Sequence, residues 1–308
     1  MQIIDNYDEV AENAKASVIA LGNFDGVHKG HLGLIKQAVE IASRKDCPSA
    51  VMTFEPHPIN VFKPEIKNYR LTDKDLKANL LEDLGIDFLY RIDFNKEFAS
   101  ITAKEFIEDI LLNKLCASHI VTGYDYIFGH NKGGDTAMLE EYSKKLGFGY
   151  TKVEAIGDDA RYSSTRVRNA LKEANLSEAV AILGRNFKIS GEVVKGDNRG
   201  KSIGFPTINI DMGEYIHPKC GVYAVSVLIN GDSKAYQGVA NLGVKPTFDG
   251  IEEVLEVHIF DFDKDVYGQQ AEIEFLQYVR EERKFESADE LVEQIKQDCV
   301  TAKRYGTL

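Results

Sequence analysis

The pattern of apolar and polar positions divides the chain into two rhythms. In the first, short apolar β-compatible runs alternate with longer segments whose apolar residues recur at helical spacing. SVIALGN, SAVMTF, DFLYRIDF, SHIVTG and YTKVEAI predict strands. HLGLIKQAVEIA (with Leu32, Ile35, Val39 and Ala42 in helical phase), DKDLKANLLEDLG, TAKEFIEDILLNKL and DTAMLEEYSKKLG predict the helices around them. Strands separated by helices imply a parallel sheet covered on both faces. Two short helical segments, STRVRNALKEA and LSEAVAILG, follow. After Gly184 the helices stop. FKISGEVV, GVYAVSVLI, KAYQGVANLG, EVLEVHIFDF and QQAEIEFLQYV follow one another across Gly- or Asp-containing loops, as an antiparallel sheet or small barrel requires. SADELVEQIKQDCVTAKRY predicts a terminal amphipathic helix, with Ser287 as N-cap and Glu290 three residues on. The expected fold class is α/β followed by β, with a parallel-sheet domain in residues 1–183 and a barrel with a terminal α-helix in residues 184–308.

Composition narrows the possibilities. A chain of 308 residues favours two domains, and 44% apolar content suffices for two cores. No run approaches the ~18 apolar residues of a membrane span. The acidic start MQIIDNYDEVAENAKA lacks a secretory signal's basic and apolar regions. Cys47, Cys116, Cys220 and Cys299 form no CxxC pair, so reduced thiols, a cytoplasmic location and no zinc site are expected. A net charge of −12 argues against nucleic acid or membrane as a partner. The charge is uneven, because residues 161–201 carry nine Lys or Arg against four acids. Such a segment suits either bound phosphates or a solvated surface.

The stretch GNFDGVHKGH (22–31) falls where a strand ends and a helix begins, the edge at which α/β sheets bind ligands. It contains no P-loop and no dinucleotide fingerprint, and two histidines without HExxH do not make a metal site. What remains is a turn containing Gly22, Asn23, Phe24, Asp25 and Gly26, then His28, Gly30 and His31 around a helix start. A helix N-terminus attracts phosphate, and imidazoles there donate hydrogen bonds or offset developing charge. A capping His beside an incidental one is the alternative.

Three more segments of the first half have chemistry of their own. TFEPHP (53–58) holds His57 between Pro56 and Pro58 in a stiff loop after Phe54, fit for a site or for a plain surface turn. GYDYIFG (123–129) places Gly123, Asp125 and Phe128 at a strand's C-terminal end, where aromatics serve either core or ligand. YSSTRVR (162–168) sets Ser163, Ser164 and Thr165 before Arg166 and Arg168. That is a second anion-binding helix start, or an ordinary cap with surface arginines.

In the second half, GEVVKGDNRGKSIGFPTINI (191–210) combines Gly196, Gly200 and Gly204 with Lys195, Arg199 and Lys201, a loop open to phosphate or merely mobile. Pro206 fixes the backbone ahead of Thr207 and Asn209, which share one face of a strand. Their oxygens are hard donors of the kind Mg²⁺ accepts, although Thr/Asn turn chemistry would use the same residues. In LEVHIFDF (255–262), Leu255, Val257 and Ile259 face one way and Glu256, His258 and Phe260 the other. Glu256 could position an alcohol and accept its proton, or simply face solvent.

Taken together, these segments resemble the bacterial bifunctional riboflavin kinase/FAD synthetase family, in order and over nearly the whole chain. GNFDGVHKGH is similar to its HxGH nucleotidylyltransferase signature, GFPTINI to its PTAN motif with Ile208 for Ala, and ANLGVKPTF (240–248) and FLQYVREERKF (275–285) to later segments. The resemblance implies a Rossmann-like adenylyltransferase domain before the barrel kinase. His28 and His31 would act on the transferring phosphate, with residues 163–165 and Arg168 opposite them on ATP. Thr207 and Asn209 would bind Mg²⁺–ATP and Glu256 would be the base. Asn241, Gly243, Thr247 and Arg280 would contribute to the flavin site. Expected ligands are riboflavin, FMN, FAD, ATP and Mg²⁺, with the chain a monomer or weak homo-oligomer. Departures lie at Tyr126, at HNKGG (130–134) and at Lys201, where the family often has Phe, an Arg or His, and Arg respectively. Two rivals follow from single motifs: another HxGH transferase acting on pantetheine phosphate or nicotinamide mononucleotide, and a flavin-sensing regulator without catalysis.

Overall fold

The computed structural model describes residues 1–8, 10–196, 200, 203–247 and 250–306, with side chains except at 246, 247 and 250–252. Its contacts form two compact units, residues 1–67 with 74–163, and residues 68–73 with 164–308.

In the first unit the order is β1 (Gln2–Ile4), β2 (Val18–Leu21), α1 (Lys29–Lys45), β3 (Ser49–Glu55), α2 (Pro58–Phe62), α3 (Lys74–Glu82) and β4 (Phe88–Asp93). There follow α4 (Ala103–Glu105), continued as a π-helix (Phe106–Lys114), then β5 (His119–Gly123), β6 (Ile127–Phe128), β7 (Gly134–Asp135), α5 (Thr136–Leu146) and β8 (Gly149–Val153). Six strands form one sheet in the order β1-β4-β3-β2-β5-β8, and every pairing is parallel. From β2 the chain winds outward to β3 and β4, then returns to lay β5 on the other side of β2. That reversal is a topological switch point, and the C-terminal end of β2 opens onto it.

Burial explains the sheet's apolar runs. Ile19, Leu21, Met52 and Tyr90 pack into one core cluster with Ile107, Ile110 and Leu111 of the π-helix. Val18, Ala20, Val51 and Leu89 point to the opposite face with α1, the alternation a pleated strand imposes. The buried stripe of α1 is Leu34, Ile35, Ala38, Ile41 and Ala42. It is rotated from the expected one, so that Leu32 and Val39 are only partly buried. The start of TAKEFIEDILLNKL is a capping box between Thr102 and Glu105, but the segment then widens, with Leu115 N–H donating to Ile110 C=O.

The second unit contains α6 (Ser164–Lys172), α7 (Leu176–Leu183), β9 (Phe187–Val194), β10 (Ile208–Ile210), β11 (Gly221–Ile229), β12 (Tyr236–Thr247), β13 (Gly250–Ile259), β14 (Gln270–Arg280) and α8 (Ala288–Ala302). The strands close into a barrel in the order β10-β13-β12-β11-β14-β9. Leu255, Val257 and Ile259 are buried, as the alternation along β13 anticipates. Phe260 is buried too, in a second cluster with Val222, Ala224, Val239 and Ala302 of α8. On α8 the Ser287 side chain accepts from Glu290 N–H, and the Glu290 carboxylate reaches back to Glu286 N–H rather than to Ser287. α7 packs on β9 and β14, so contacts group α6 and α7 with the barrel, although the strand rhythm changes only after Gly184.

One fold residue has a pH signature. His119 on β5 shares a hydrogen bond of 2.8 Å with Thr151 on β8. Burial, with Lys45 and Arg44 adding to it, holds its pKa down to about 4. The unfolded chain therefore protonates His119 first, so the folded state loses stability as pH falls from about 6.5 toward 4. His119→Gln is expected to flatten the fall of the melting midpoint across that window, read by thermal denaturation at stepped pH.

Candidate active sites

The first site starts at the C-terminal end of β2. Gly26 has φ of 86° and Phe24 and Val27 have φ of 48° and 40°, so the turn is left-handed at three positions. A β-carbon on Gly22 would lie 2.9 Å from the Phe24 ring, so the glycine lets that ring fold back under the turn. Phe24, Asp25, Val27 and His28 are all buried, so the turn is a packed element rather than a surface loop. His28 is the N-cap of α1, and its Nδ1 accepts the His31 N–H at 3.3 Å. That bond places the proton of the neutral ring on Nε2. The two imidazoles stack with centroids 3.5 Å apart, and the Phe24 ring meets His31 edge-on at 5.3 Å. Gly30 lies against His28, since a β-carbon there would be 3.0 Å from the imidazole. Capping and imidazole stacking thus coexist at one helix N-terminus.

The TFEPHP loop leaves the end of the adjacent strand β3. Phe54 is buried and packs its ring against Phe94 and Phe98. The Glu55–Pro56 peptide is cis. His57 is buried and caps α2 by accepting the Ile59 N–H at 3.2 Å, while Pro58 opens that helix.

Beyond β5, Gly123 leads into Tyr124 and Asp125, both bonded by the Arg161 guanidinium, at 3.0 Å for Asp125. Asp125 is exposed. Phe128 is buried, stacked with Tyr126 and tilted on Phe106, so this aromatic belongs to the core. A short hairpin, β6–β7, carries it.

Ser163 closes the first unit and Ser164 and Thr165 open α6 of the second. Arg166 pairs with Glu178 of α7 at 2.6 Å. Arg168 is buried, with its guanidinium 3.6 Å from the Tyr69 ring centre and its Nε donating to Tyr69 C=O. Of the two arginines, Arg166 is spent on helix packing.

In the barrel, register brings separated motifs into one row. Asn209 on β10 lies opposite Glu256 on β13, and Glu256 lies opposite Asn241 on β12. Residues directly opposite in an antiparallel pair share a face, so the amide, carboxylate and second amide line up across three strands. Ile208 opposes Val257 and so takes the inward position between Thr207 and Asn209. Glycines leave the room in front of this row. A β-carbon on Gly196 would lie 2.1 Å from the Asn209 amide, and one on Gly200 would lie 2.2 Å from Phe205 C=O and 3.4 Å from Thr207 Oγ1. Gly204 has φ of 88°, and Phe205 N–H returns to Gly200 C=O at 2.8 Å. The donor set, a hydroxyl and an amide facing a glycine cradle, fits a Mg²⁺ ion that keeps water and phosphate as its other ligands. Lys195 is exposed at the end of β9, and Pro206 C=O accepts from His258 Nδ1–H at 2.8 Å. Lys201 lies outside the described residues, as does the side chain of Thr247.

Arg280 is engaged within the fold. Its guanidinium holds Asp298 of α8 through three contacts of 2.7–3.1 Å, and Gln294 adds another to the same carboxylate. It ties the terminal helix to the end of β14. The residue that reaches the row instead is Glu282, which accepts from Asn241 Nδ2 at 3.3 Å and sits where a β-carbon on Gly243 would be only 2.2 Å away. Glu282 and Asp298 were not singled out by the motifs, because each acts through a partner distant in sequence.

Comparison with known proteins matches two family models in succession along the chain. Residues 10–166 match the FAD synthetase family model and residues 183–306 match the riboflavin kinase model. The bifunctional riboflavin kinase/FMN adenylyltransferase of Escherichia coli K12 is 39% identical over 94% of this chain and 92% of its own length. The Bacillus subtilis protein of the same name is 40% identical, covering 96% and 94%. A crystal structure described as a macrolide-efflux protein from Streptococcus pneumoniae superposes with a TM-score of 0.87 at 34% identity, covering 99% of both chains. Among the described residues of this chain, no helix is long and apolar enough to cross a membrane. Matched in order from the first unit through the barrel, the chain belongs to the bifunctional riboflavin kinase/FMN adenylyltransferase family.

Proposed function

We propose that the family's two reactions are divided along the chain, with adenylyl transfer in residues 1–183 and riboflavin phosphorylation in residues 184–308. The barrel phosphorylates riboflavin with ATP, giving FMN and ADP. The parallel-sheet module joins FMN to the AMP part of a second ATP, giving FAD and pyrophosphate. The observation that carries this reading is the succession, in one chain, of a stacked His28–His31 pair at a switch point and an Asn209–Glu256–Asn241 row on a closed barrel.

In the kinase step the riboflavin alcohol oxygen attacks the γ-phosphorus of ATP, its proton passes to Glu256, and ADP leaves. A carboxylate is a weak base for an alcohol, but in a loose transition state positioning and electrostatics dominate. Thr207 and Asn209 would hold Mg²⁺, which supplies charge neutralisation at the phosphates. Lys195, Gly196, Gly200 and Gly204 are assigned to the phosphates beside them, and Lys201 is assigned the same role by the family motif alone. Asn241, Gly243 and Thr247 serve the flavin, and Arg280 serves it indirectly by fixing the chain after β14.

In adenylyl transfer the FMN phosphate is itself the nucleophile. An oxygen of it attacks the α-phosphorus, the bond to pyrophosphate breaks, and no covalent enzyme intermediate is needed. His28 and His31 stabilise the charge that develops on the transferring group. Phosphate contacts come also from residues 163–165 and Arg168, with Asn23, Asp25, His57 and Asp125 shaping the FMN and nucleotide pockets. The net charge of −12 supports no role for nucleic acid or an anionic membrane, and the working unit is a monomer or weak homo-oligomer in the cytoplasm.

The test is a time course with riboflavin, ATP and Mg²⁺, separating the flavins by chromatography. FMN is expected first and FAD after it. Flavin binding without turnover would overturn the reading in favour of a sensor, and FMN without FAD would remove adenylyl transfer from the first module.

A further inference from the structure

Lys77 is a buried cation in the first unit that no motif accounts for. It lies on α3 with 1% of its surface exposed. Its ammonium donates to Glu55 Oε1 at 2.7 Å and to Thr53 Oγ1 at 3.3 Å. The Thr53 hydroxyl donates in turn to Asn23 C=O at 2.9 Å. Thr53 and Glu55 are two apart on β3 and so share a face. Glu55 is the residue that turns into Pro56 and His57, and Asn23 is in the turn that runs to His28. The ammonium therefore holds two residues at the end of β3, one of them hydrogen-bonded to the turn after β2 and the other leading directly into the loop after β3. These loops lead to His28 at the start of α1, with His31 one turn on, and to His57 at the start of α2.

We propose that Lys77 is a positioning residue for adenylyl transfer, fixing the GNFDGVHKGH turn relative to the EPHP loop through Thr53 and Glu55. The inference rests on the assignment of adenylyl transfer to this module. A buried ion pair is a poor way to gain stability, since apolar residues of similar volume usually do as well. What an apolar side chain cannot supply is two directed donors that fix Thr53 and Glu55 where β3 meets the two loops. Bonds of fixed direction between strand ends are what orientation of reacting groups needs, and displacing such groups by about 1 Å costs on the order of 10²-fold in rate.

The experiment uses the full chain and reads both activities on the same preparation, with FMN plus ATP for adenylyl transfer and riboflavin plus ATP for the kinase. Two variants are compared, K77M and the neutral pair K77M/E55Q. K77M alone removes the ammonium bonded to the Glu55 carboxylate and so costs stability as well as function; the double variant removes both charges and carries the test if the single one does not fold. Expected for the double variant are a melting midpoint recovered toward that of the unaltered chain, an unchanged kinase rate, and a kcat for FAD formation lower by about 10²-fold, with little change in KM. Unaltered kcat for FAD in either variant overturns the proposal, because it makes Lys77 a packing residue only. Recovery of kcat together with the midpoint, or a parallel fall of both activities in the double variant, overturns it equally. If the unaltered chain makes no FAD from FMN, the assignment of the module fails instead, and that outcome is read before any variant.

Discussion

His28→Asn is expected to cut FAD formation from supplied FMN by about 10²-fold or more while leaving riboflavin phosphorylation unchanged. The choice of Asn follows from the two things His28 does. As N-cap it accepts the His31 N–H, and Asn is among the best residues for that role, so α1 keeps its start. As an imidazole stacked on His31 it carries an aromatic ring and an Nε2–H donor, and the shorter Asn side chain has neither. His28→Ala loses both functions, and its missing cap alone costs about 1 kcal/mol of stability. Comparing the two variants by flavin chromatography and thermal denaturation separates charge stabilisation from capping. If His28→Asn forms FAD at the unaltered rate, the imidazole is a cap and the phosphate role falls to other groups. If both activities fall together, the modules do not work independently.

The elements that could be read in advance were those whose physics is local. Amphipathic helices and alternating strands announce themselves by period, and Ser287 announces a helix start by its residue type. β1 could not be read this way, since three residues carry no measurable period and the strand exists through its pairing with β4. The β6–β7 hairpin is shorter still. Wide helical turns after Thr102 look the same in sequence as ordinary ones, because the apolar residues of FIEDILLNK satisfy either spacing.

The sites divide by the same criterion. GNFDGVHKGH and PTIN were legible because glycine, proline and histidine constrain the backbone or the chemistry where they stand. The alternation along LEVHIFDF places Glu256 on the face opposite Leu255, Val257 and Ile259, but only register shows that Asn209 and Asn241 flank it. Phe128 and Arg280 show the converse. Each has a residue type suited to binding, and each is committed within the fold, Phe128 to Tyr126 and Phe106 and Arg280 to Asp298. Lys77 did leave a trace in the sequence. It is four residues before Leu81 and seven before Leu84, in phase with the apolar face of DKDLKANLLEDLG, where a solvated lysine would not sit.

Glu256→Gln is expected to have the opposite outcome to His28→Asn: FMN formation from riboflavin falls by about 10²-fold or more, while FAD is still made when FMN is supplied. Gln is nearly isosteric and keeps a hydrogen-bonding side chain between Asn209 and Asn241, so the row and the barrel register should survive. What it removes is the negative charge and the proton acceptor. Those two contributions differ in their dependence on pH. Loss of an acceptor abolishes the acid limb that a carboxylate imposes on the kinase rate, whereas loss of mere alignment lowers the rate at every pH and leaves the limb in place. Measuring kinase kcat against pH for both forms therefore assigns the role as well as testing it. A variant that phosphorylates riboflavin at the unaltered rate would place the reacting alcohol away from β13, and the row would then be a structural ladder of amides around a solvated carboxylate.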